Sequence, residues 1–182
     1  TGSRRLQSGE ALSEVAASWA PVAPMLSRRA YFGTAAVEAK GIVFAVGGHD
    51  GESYLASAER YHALSNRWMP LPPMSCPRAY LAVQALGQRI YAIGGYDGKN
   101  RLSSVESYDV GSGLWSAVAA MHIPRAFLAA ATSSDRMLVF GGSSAPGLSV
   151  ASITVYDPQT DAWEDMAQPM AEARCFHGAV AA

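Results

Sequence analysis

The stretch IVFAVGGHDG at residues 42–51 decides the fold, because it is an apolar run that ends in two adjacent glycines. A similar stretch, IYAIGGYDG, occupies residues 90–98, and MLVFGG occupies residues 137–142. The second glycines of the three pairs, Gly48, Gly95 and Gly142, are separated by 47 and again by 47 residues. A constant spacing of this length indicates a repeated structural unit.

Other residues keep the same phase as the glycines. A tryptophan follows each glycine pair, a tyrosine precedes that tryptophan by seven residues, and an arginine stands four residues after a methionine near each unit boundary. Agreement among several unrelated residue types makes chance an inadequate explanation. These repeated residues are Gly47, Gly48, Gly94, Gly95, Gly141 and Gly142; Trp19, Trp68, Trp115 and Trp163; Tyr61, Tyr108 and Tyr156; and Arg29, Arg78, Arg125 and Arg174.

The phase divides the chain into units. We expect residues 1–4 to be a tag or linker, which we leave out of the fold argument. Residues 28–74, 75–121 and 122–170 form three complete units, residues 5–27 supply the last two strands of a partial unit, and residues 171–182 supply the first strand of another.

Each unit contains four short strands, called a, b, c and d in chain order, which are separated by turn residues. Strand b carries small or β-branched residues on both faces, which predicts burial on both sides. At its end, glycine permits a positive φ and leaves no Cβ to collide with a neighbouring segment. No segment shows helical periodicity with caps. We therefore predict an all-β chain of antiparallel four-stranded blades that stack around an axis, with essentially no helix.

These repeated residues resemble the Kelch repeat. The Gly-Gly pair, the tyrosine of the YD dipeptide, the spaced tryptophan and the Met-x-x-x-Arg pattern carry the resemblance. The stretches GGHDG, GGYDG and RLSSVESYDVGSGLW (residues 101–115) resemble in particular the Kelch-like branch, in which a Kelch β-propeller follows BTB and BACK domains. The third unit departs from the pattern, because SSAPGLSV (residues 143–150) lacks Asp-Gly and Thr154 replaces the glutamate found at Glu59 and Glu106. We expect its loop to differ in shape.

The number of repeats is smaller than the six blades that the resemblance implies. We therefore expect an open arc, a ring completed by self-association with a partner chain, or a segment of a longer protein, and we favour the last. A four-bladed ring would need a blade built from residues 175–181, 5–15 and 18–22 without strand b. That blade would expose unpaired backbone groups along two strand edges.

Composition excludes several classes of function. The net charge is −1, and charged residues make up 16% of the chain against 49% apolar residues, so no basic surface for nucleic acid is indicated. The apolar runs are too short to span a membrane. Cys76 and Cys175 are too few for a disulfide framework, and we expect two free thiols in a reducing compartment. Cys76, which lies near Arg78, is the better candidate for a reactive thiol. We expect a cytoplasmic protein, with association with the cytoskeleton left open.

The repeated arginines have two interpretations. They either form a ring of positive charge for acidic ligands, or bind loop carbonyls and a carboxylate such as Glu59 or Glu106 within the fold. Repetition in every unit favours the structural interpretation, because ligand contacts need not repeat with the fold. We give the glycines and the tryptophans a structural role too, the latter by packing between blades.

Loop residues that vary between copies are the better candidates for partner binding. The b–c and d–a loops lie at the same edge of a blade, and the resemblance implies that this edge receives a peptide. Aromatic and arginine side chains on rigid loops suit that role. An alternative of equal weight is that Tyr31, Tyr80 and Phe127 close the mouth of the channel. The candidates are His49, Tyr96, Lys99, Asn100, Arg101, Arg28, Tyr31, Tyr80, Phe127 and Ser143.

No catalytic, metal or cofactor site is predicted. The histidines His49, His62, His122 and His177 occur at different phases of the repeat, and no pair has the spacing of metal ligands. No Ser/His/Asp arrangement occurs, and the Gly-Gly pairs are not followed by a helix that could bind phosphate.

We therefore predict a non-enzymatic module that binds a protein or peptide partner. By resemblance, it is the substrate-recognition part of a cullin-RING ubiquitin ligase adaptor in the ubiquitin-conjugation pathway, and the ligase contact belongs to BTB and BACK domains that these residues do not encode. The alternatives are a Kelch scaffold that binds actin and, less favoured, a Kelch-fold oxidase or sugar epimerase.

Overall fold

The computed structural model describes residues 6–13 and 17–180. Their regular secondary structure consists of short strands, and their only helical element is a single 3-10 turn, Glu38–Lys40. The predicted all-β class is therefore confirmed. The expected tag at residues 1–4 and the predicted strand residues Arg5, Val15 and Ala181 lie outside the described residues.

Three four-stranded antiparallel sheets account for most of the strands, and each has its strands in the order a-b-c-d. Blade 1 contains β3 (Gly33–Val37), β4 (Ile42–Val46), β5 (Ala58–His62) and β6 (Arg67–Leu71). Blade 2 contains β7 (Ala82–Leu86), β8 (Arg89–Ile93), β9 (Val105–Asp109) and β10 (Leu114–Val118). Blade 3 contains β11 (Ala129–Ser133), β12 (Arg136–Phe140), β15 (Ile153–Asp157) and β16 (Ala162–Asp165).

Two smaller sheets complete the described strands. β1 (Gly9–Ser13) pairs with β2 (Ser18–Val22) as the expected strands c and d of a partial blade. The third b–c loop forms a hairpin of β13 (Ser143–Ala145) and β14 (Leu148–Ser149), so its shape does differ from that of the other two loops.

The last unit differs from the prediction. Its first strand was expected within residues 171–182, but residues 171–180 contain no strand. In each complete blade, strand a is held by hydrogen bonds to strand b. No strand b of this unit lies among the described residues, so the segment has no edge with which to pair.

The hydrophobic core lies between the blades rather than within them. Phe44 of blade 1 packs toward Tyr108 of blade 2, with ring centroids 6.1 Å apart. Tyr91 of blade 2 and Tyr156 of blade 3 are 5.7 Å apart in the same way. Burial of each such side chain contributes about 1.5–3 kcal/mol. The blades therefore stabilise one another, as the stacking argument requires.

The Gly-Gly pairs lie where strand b passes close to the segment that leads into strand a. Gly48 has a φ of 99°, and a Cβ there would lie 2.8 Å from the Ala30 carbonyl oxygen. Gly95 has a φ of 100° and the same distance to the Ala79 oxygen. Only glycine fits both the backbone conformation and the space.

The tryptophans of the complete blades form hydrogen bonds across the junctions with the preceding units. Trp68 Nε1 donates to the Ala23 carbonyl at 2.9 Å, and Trp115 Nε1 donates to the Pro72 carbonyl at 2.9 Å. Trp163 repeats the contact with Ala119 at 2.8 Å. Trp19 differs from the predicted packing role, because it is 66% exposed. No blade precedes the β1–β2 sheet among the described residues, so nothing covers its indole.

Candidate partner-binding face

One edge of the blades carries the b–c loops and the d–a loops together. Within the described residues, these are residues 47–57, 94–104 and 141–152, and residues 23–32, 72–81 and 119–128. Isolated bridges join the two kinds of loop within each blade, namely Ala30 to His49, Ala79 to Tyr96, and Ala126 to Ser143. We call this edge the loop face. The bridges tie its loops to one another, which makes it a rigid surface.

Beneath the loop face, buried arginine side chains bind groups of neighbouring loops and strands, and we call each such set of contacts a clamp. Arg29 Nε lies 2.8 Å from Glu59 Oε1, and the Arg29 Nη1 group donates to the Gly47 and Ser57 carbonyls at 2.7 and 2.9 Å. Glu59 also accepts the Leu26 backbone N–H. Both charged side chains are 1% exposed. The pair is therefore placed to hold loops from two adjacent units together rather than to reach a ligand.

Arg78 forms the corresponding clamp between blades 1 and 2. It lies 2.9 Å from Glu106, and it donates to the Gly94 and Ser104 carbonyls at 3.1 and 2.8 Å. Glu106 also accepts the Ser75 backbone N–H at 2.8 Å. A carboxylate that pairs with arginine and binds a loop N–H satisfies several buried polar groups at once.

The third clamp uses different residues. Arg125 is fully buried and donates to Thr154 Oγ1 at 2.9 Å, and Thr154 in turn donates to Asp165 at 3.0 Å. Asp165 also lies 3.2 Å from His122 Nδ1 in the d–a loop. Because Thr154 and Asp165 are paired across strands c and d, the carboxylate has moved to the neighbouring strand. Burial lowers the pKa of Arg125, which no carboxylate contacts directly among the described residues.

Arg174 does not form a clamp. Its side chain is 49% exposed, and its nearest acidic group is Glu172 at 4.0 Å. The expected structural role is absent because no strand c follows it within the described residues.

The aspartates of the first two b–c loops order their turns. Asp50 Oδ1 accepts the Glu52 and Ser53 backbone N–H groups, both at 2.8 Å. Asp97 Oδ1 accepts those of Lys99 and Asn100 at 2.7 and 2.6 Å. These donors, that of Ser53 for Asp50 and that of Asn100 for Asp97 most strongly, lower the pKa of both carboxyl groups. The turns are therefore held while the carboxylates are ionised.

Three aromatic side chains join the loops of blades 1 and 2. The ring of Tyr54 lies 4.7 Å from His49 and 5.5 Å from Tyr96, at nearly a right angle to each. Tyr54 also contacts the second loop at Gly98, where a Cβ would lie 3.0 Å from its ring. We call His49, Tyr54 and Tyr96 the aromatic bridge. Tyr54 was not among the residues predicted from the sequence, although its position also varies between copies, with Arg101 and Leu148 at the corresponding places.

A second aromatic row runs through the d–a loops and into the segment that follows blade 3. Tyr31, Tyr80, Phe127 and Phe176 stack in succession, with centroid distances of 4.5, 4.3 and 4.1 Å. The backbone N–H of Tyr80 donates to the Tyr31 carbonyl, and that of Phe127 to the Tyr80 carbonyl. All four residues have a positive φ near 57°, a conformation that is costly for aromatic residues. Tyr31 is 50% exposed, and the role in partner binding and the role at the channel mouth both stay predictions.

The remaining candidates have different environments. Arg28 lines a groove of about 320 Å³ together with Asp50 and Glu52. Lys99 and Asn100 are exposed in the Asp97 turn, whereas Arg101 is half-buried.

Ser143 differs from the prediction, because it is only 6% exposed. Its hydroxyl donates to the Ala145 carbonyl at 2.8 Å. It therefore begins the hairpin instead of facing a partner.

Three further features concern only the part of the chain that the structure describes. No group of three or more His, Cys, Asp or Glu side chains within residues 6–13 and 17–180 is arranged to hold a metal ion. Among the same residues, no helix is long and apolar enough to cross a membrane. Cys76 and Cys175 are free thiols.

Comparison with known proteins identifies the repeat. A family model for the Kelch motif matches residues 30–75, 77–122 and 124–170. A solved structure described as "Structure of YjhT" aligns with a TM-score of 0.76 and 15% sequence identity, covering 96% of this chain and 68% of the other. A likeness at this identity concerns the fold alone. None of the curated proteins compared with the chain matches it.

Proposed function

This chain belongs to the Kelch-motif family, and from that premise we propose that it is a binding module that captures a protein or peptide partner on its loop face. The observation that carries the proposal is the aromatic bridge. His49, Tyr54 and Tyr96 are each half-buried, so their rings are fixed by packing and still present area to a partner. Rigid aromatic side chains give large contact area at low entropic cost, and they dominate many interfaces.

Polar groups around the aromatic bridge supply direction to the contact. Arg28 and Glu52 line the groove on one side, and Lys99 lies in the turn on the other. Because both signs of charge are present, the face fits a partner segment with mixed polar character around an aromatic or aliphatic anchor. The buried clamps keep this arrangement in place.

The finer role follows from the resemblance of GGHDG and GGYDG to Kelch-like proteins. We propose that the module selects substrates for a cullin-RING ubiquitin ligase, with the ligase contacted through BTB and BACK domains. The two free thiols accord with a reducing compartment such as the cytoplasm.

Affinity capture with matched variants tests the proposal. The variants His49→Ala, Tyr54→Ala and Tyr96→Ala should each reduce recovery of the same set of partners, by about 30-fold in affinity for a central anchor. Leu64→Ala is the control, because Leu64 is 97% exposed in a turn at the opposite edge. Thermal unfolding checks that every variant is folded. Equal recovery of partners by the folded bridge variants and by the control would contradict the loop face as the binding surface.

Recovery of cullin-RING components with the full-length protein separates the finer role from the coarser one. Loss of substrate capture without loss of the ligase components is the expected result for Tyr54→Ala. Capture of partners in the absence of any ligase component would retain the binding module and reject the adaptor role.

A further inference from the structure

The edge opposite the loop face has a crevice at the junction of blades 2 and 3. It has a volume of about 430 Å³ and lies between the a–b turns of the two blades and the c–d turn of blade 3. Its walls include Leu86 and Pro158, and its polar groups come from Gln88, Arg89, Tyr91 and Asp135. The volume lies in the range of sites that enclose a small ligand or one side chain.

The preceding junction has a cation at the corresponding edge. There, Lys40 of blade 1 reaches across and donates from Nζ to Gln88 Oε1 of blade 2 at 3.1 Å. The a–b turn of blade 1 spans four residues, 38–41, whereas that of blade 2 is only Gly87–Gln88. The shorter turn has no cationic side chain, since it consists of Gly87, where a Cβ would meet no atom within 4 Å, and Gln88, which lines the crevice. The second junction therefore stays open.

The polar groups of the crevice are unequally engaged. Arg89 already donates to Ser107 Oγ at 2.9 Å and lies 3.4 Å from Asp109. Asp135 is exposed and forms no ion pair with any residue of the described chain. The Tyr91 hydroxyl makes no hydrogen bond to these residues either, although Tyr91 is only 2% exposed. The crevice thus offers one unpaired carboxylate and one free hydroxyl between apolar walls.

We propose that this crevice binds a lysine side chain of a protein partner, supplied from outside where Lys40 supplies one from within at the preceding junction. The aliphatic stem lies along Leu86 and Pro158, and the ammonium donates to the Asp135 carboxylate and the Tyr91 hydroxyl oxygen. A lysine side chain combines an apolar stem with three donors at its tip, which matches this lining. The site is separate from the loop face, so the two surfaces can be occupied together.

Nuclear magnetic resonance titration tests the assignment on the whole chain. The probe is Nα-acetyl-lysine N-methylamide, and the neutral control is the norleucine analogue, which has the same carbon stem. We expect saturable shifts of the backbone amides of residues 86–91 and 134–135, with a dissociation constant of about 1–10 mM. We expect the norleucine analogue to bind at least about tenfold more weakly.

Two variants separate charge from shape. Asp135→Asn should weaken lysine binding about tenfold without changing the norleucine response, because it removes only the charge. Tyr91→Phe should weaken it by a smaller factor, about threefold to tenfold. Equal shifts from both probes, an unchanged affinity in Asp135→Asn, or tighter binding of the arginine analogue would each overturn the proposal. His49→Ala should leave the titration unchanged, so failure here is distinguishable from failure of the loop face.

Discussion

Replacing Glu106 with alanine removes the carboxylate from the clamp between blades 1 and 2. Arg78 is fully buried and Glu106 is 3% exposed, so the change leaves a buried guanidinium without its partner at 2.9 Å. The Ser75 backbone N–H loses its acceptor as well. Breaking a buried pair by removing one partner costs about 3–5 kcal/mol. The free energy of unfolding of a domain is typically about 5–15 kcal/mol, so this cost is a large part of it.

The third clamp supplies the matched control. Thr154→Ala removes the hydroxyl that accepts from Arg125, but Arg125 has no carboxylate in direct contact to lose. We expect a cost of about 1–3 kcal/mol, the range for an orphaned buried hydrogen-bonding group. Replacing both members of the second clamp by apolar residues, Arg78→Met with Glu106→Leu, should recover most of the loss, because no charge then remains unpaired.

Urea unfolding at neutral pH measures these differences. With a slope of about 2 kcal/mol per molar urea, Glu106→Ala should lower the midpoint by about 1.5–2.5 M. Thr154→Ala should lower it by about 0.5–1.5 M. A Glu106→Ala midpoint within 0.3 M of wild type, about the precision of such comparisons, or a larger loss in Thr154→Ala, would refute the clamp as the element that holds the junction.

Three further predictions concern the backbone, the loops and the junctions. Gly95→Ala should destabilise the protein by about 1–3 kcal/mol, because its Cβ would lie 2.8 Å from a carbonyl oxygen. Gly87→Ala should cost only about 1 kcal/mol, because the positive φ is its only strain. Thermal unfolding of the two variants measures the difference. The pKa of Asp97 is lowered in the folded state, so the ionised carboxylate stabilises the fold above the pKa of the unfolded chain, near 3.8. This stabilisation is lost as the pH falls through the folded value. Between pH 5 and 2, the urea midpoint of Asp97→Asn should therefore fall less than that of the wild type. Trp115→Phe removes the hydrogen bond to the Pro72 carbonyl, which should cost about 1 kcal/mol in addition to the effect of the smaller buried area. Equal stability of the variant and the wild type in urea unfolding would contradict that role.

The candidate site was predictable where its signal is local. Asp50 and Asp97 precede glycine after a buried strand, and the turns that they order follow from that pattern. Tyr54 had no such signal, because its contacts with His49 and Tyr96 depend on how two loops meet across a junction. Ser143 occupies the same repeat position as His49 and Tyr96, but the hairpin that follows buries it.

By itself, the sequence determined the repeat, the order of strands within a unit and the positions that only glycine can fill. The repeat follows from periodicity along the chain, the strand order from the turn residues, and the glycine positions from a positive φ that other residues rarely adopt. The tertiary structure alone decided which residues meet between units, including the transfer of the third carboxylate from strand c to Asp165 and the open crevice beside Asp135. Such contacts join residues far apart in the chain, and their geometry exists only after one blade has packed against the next.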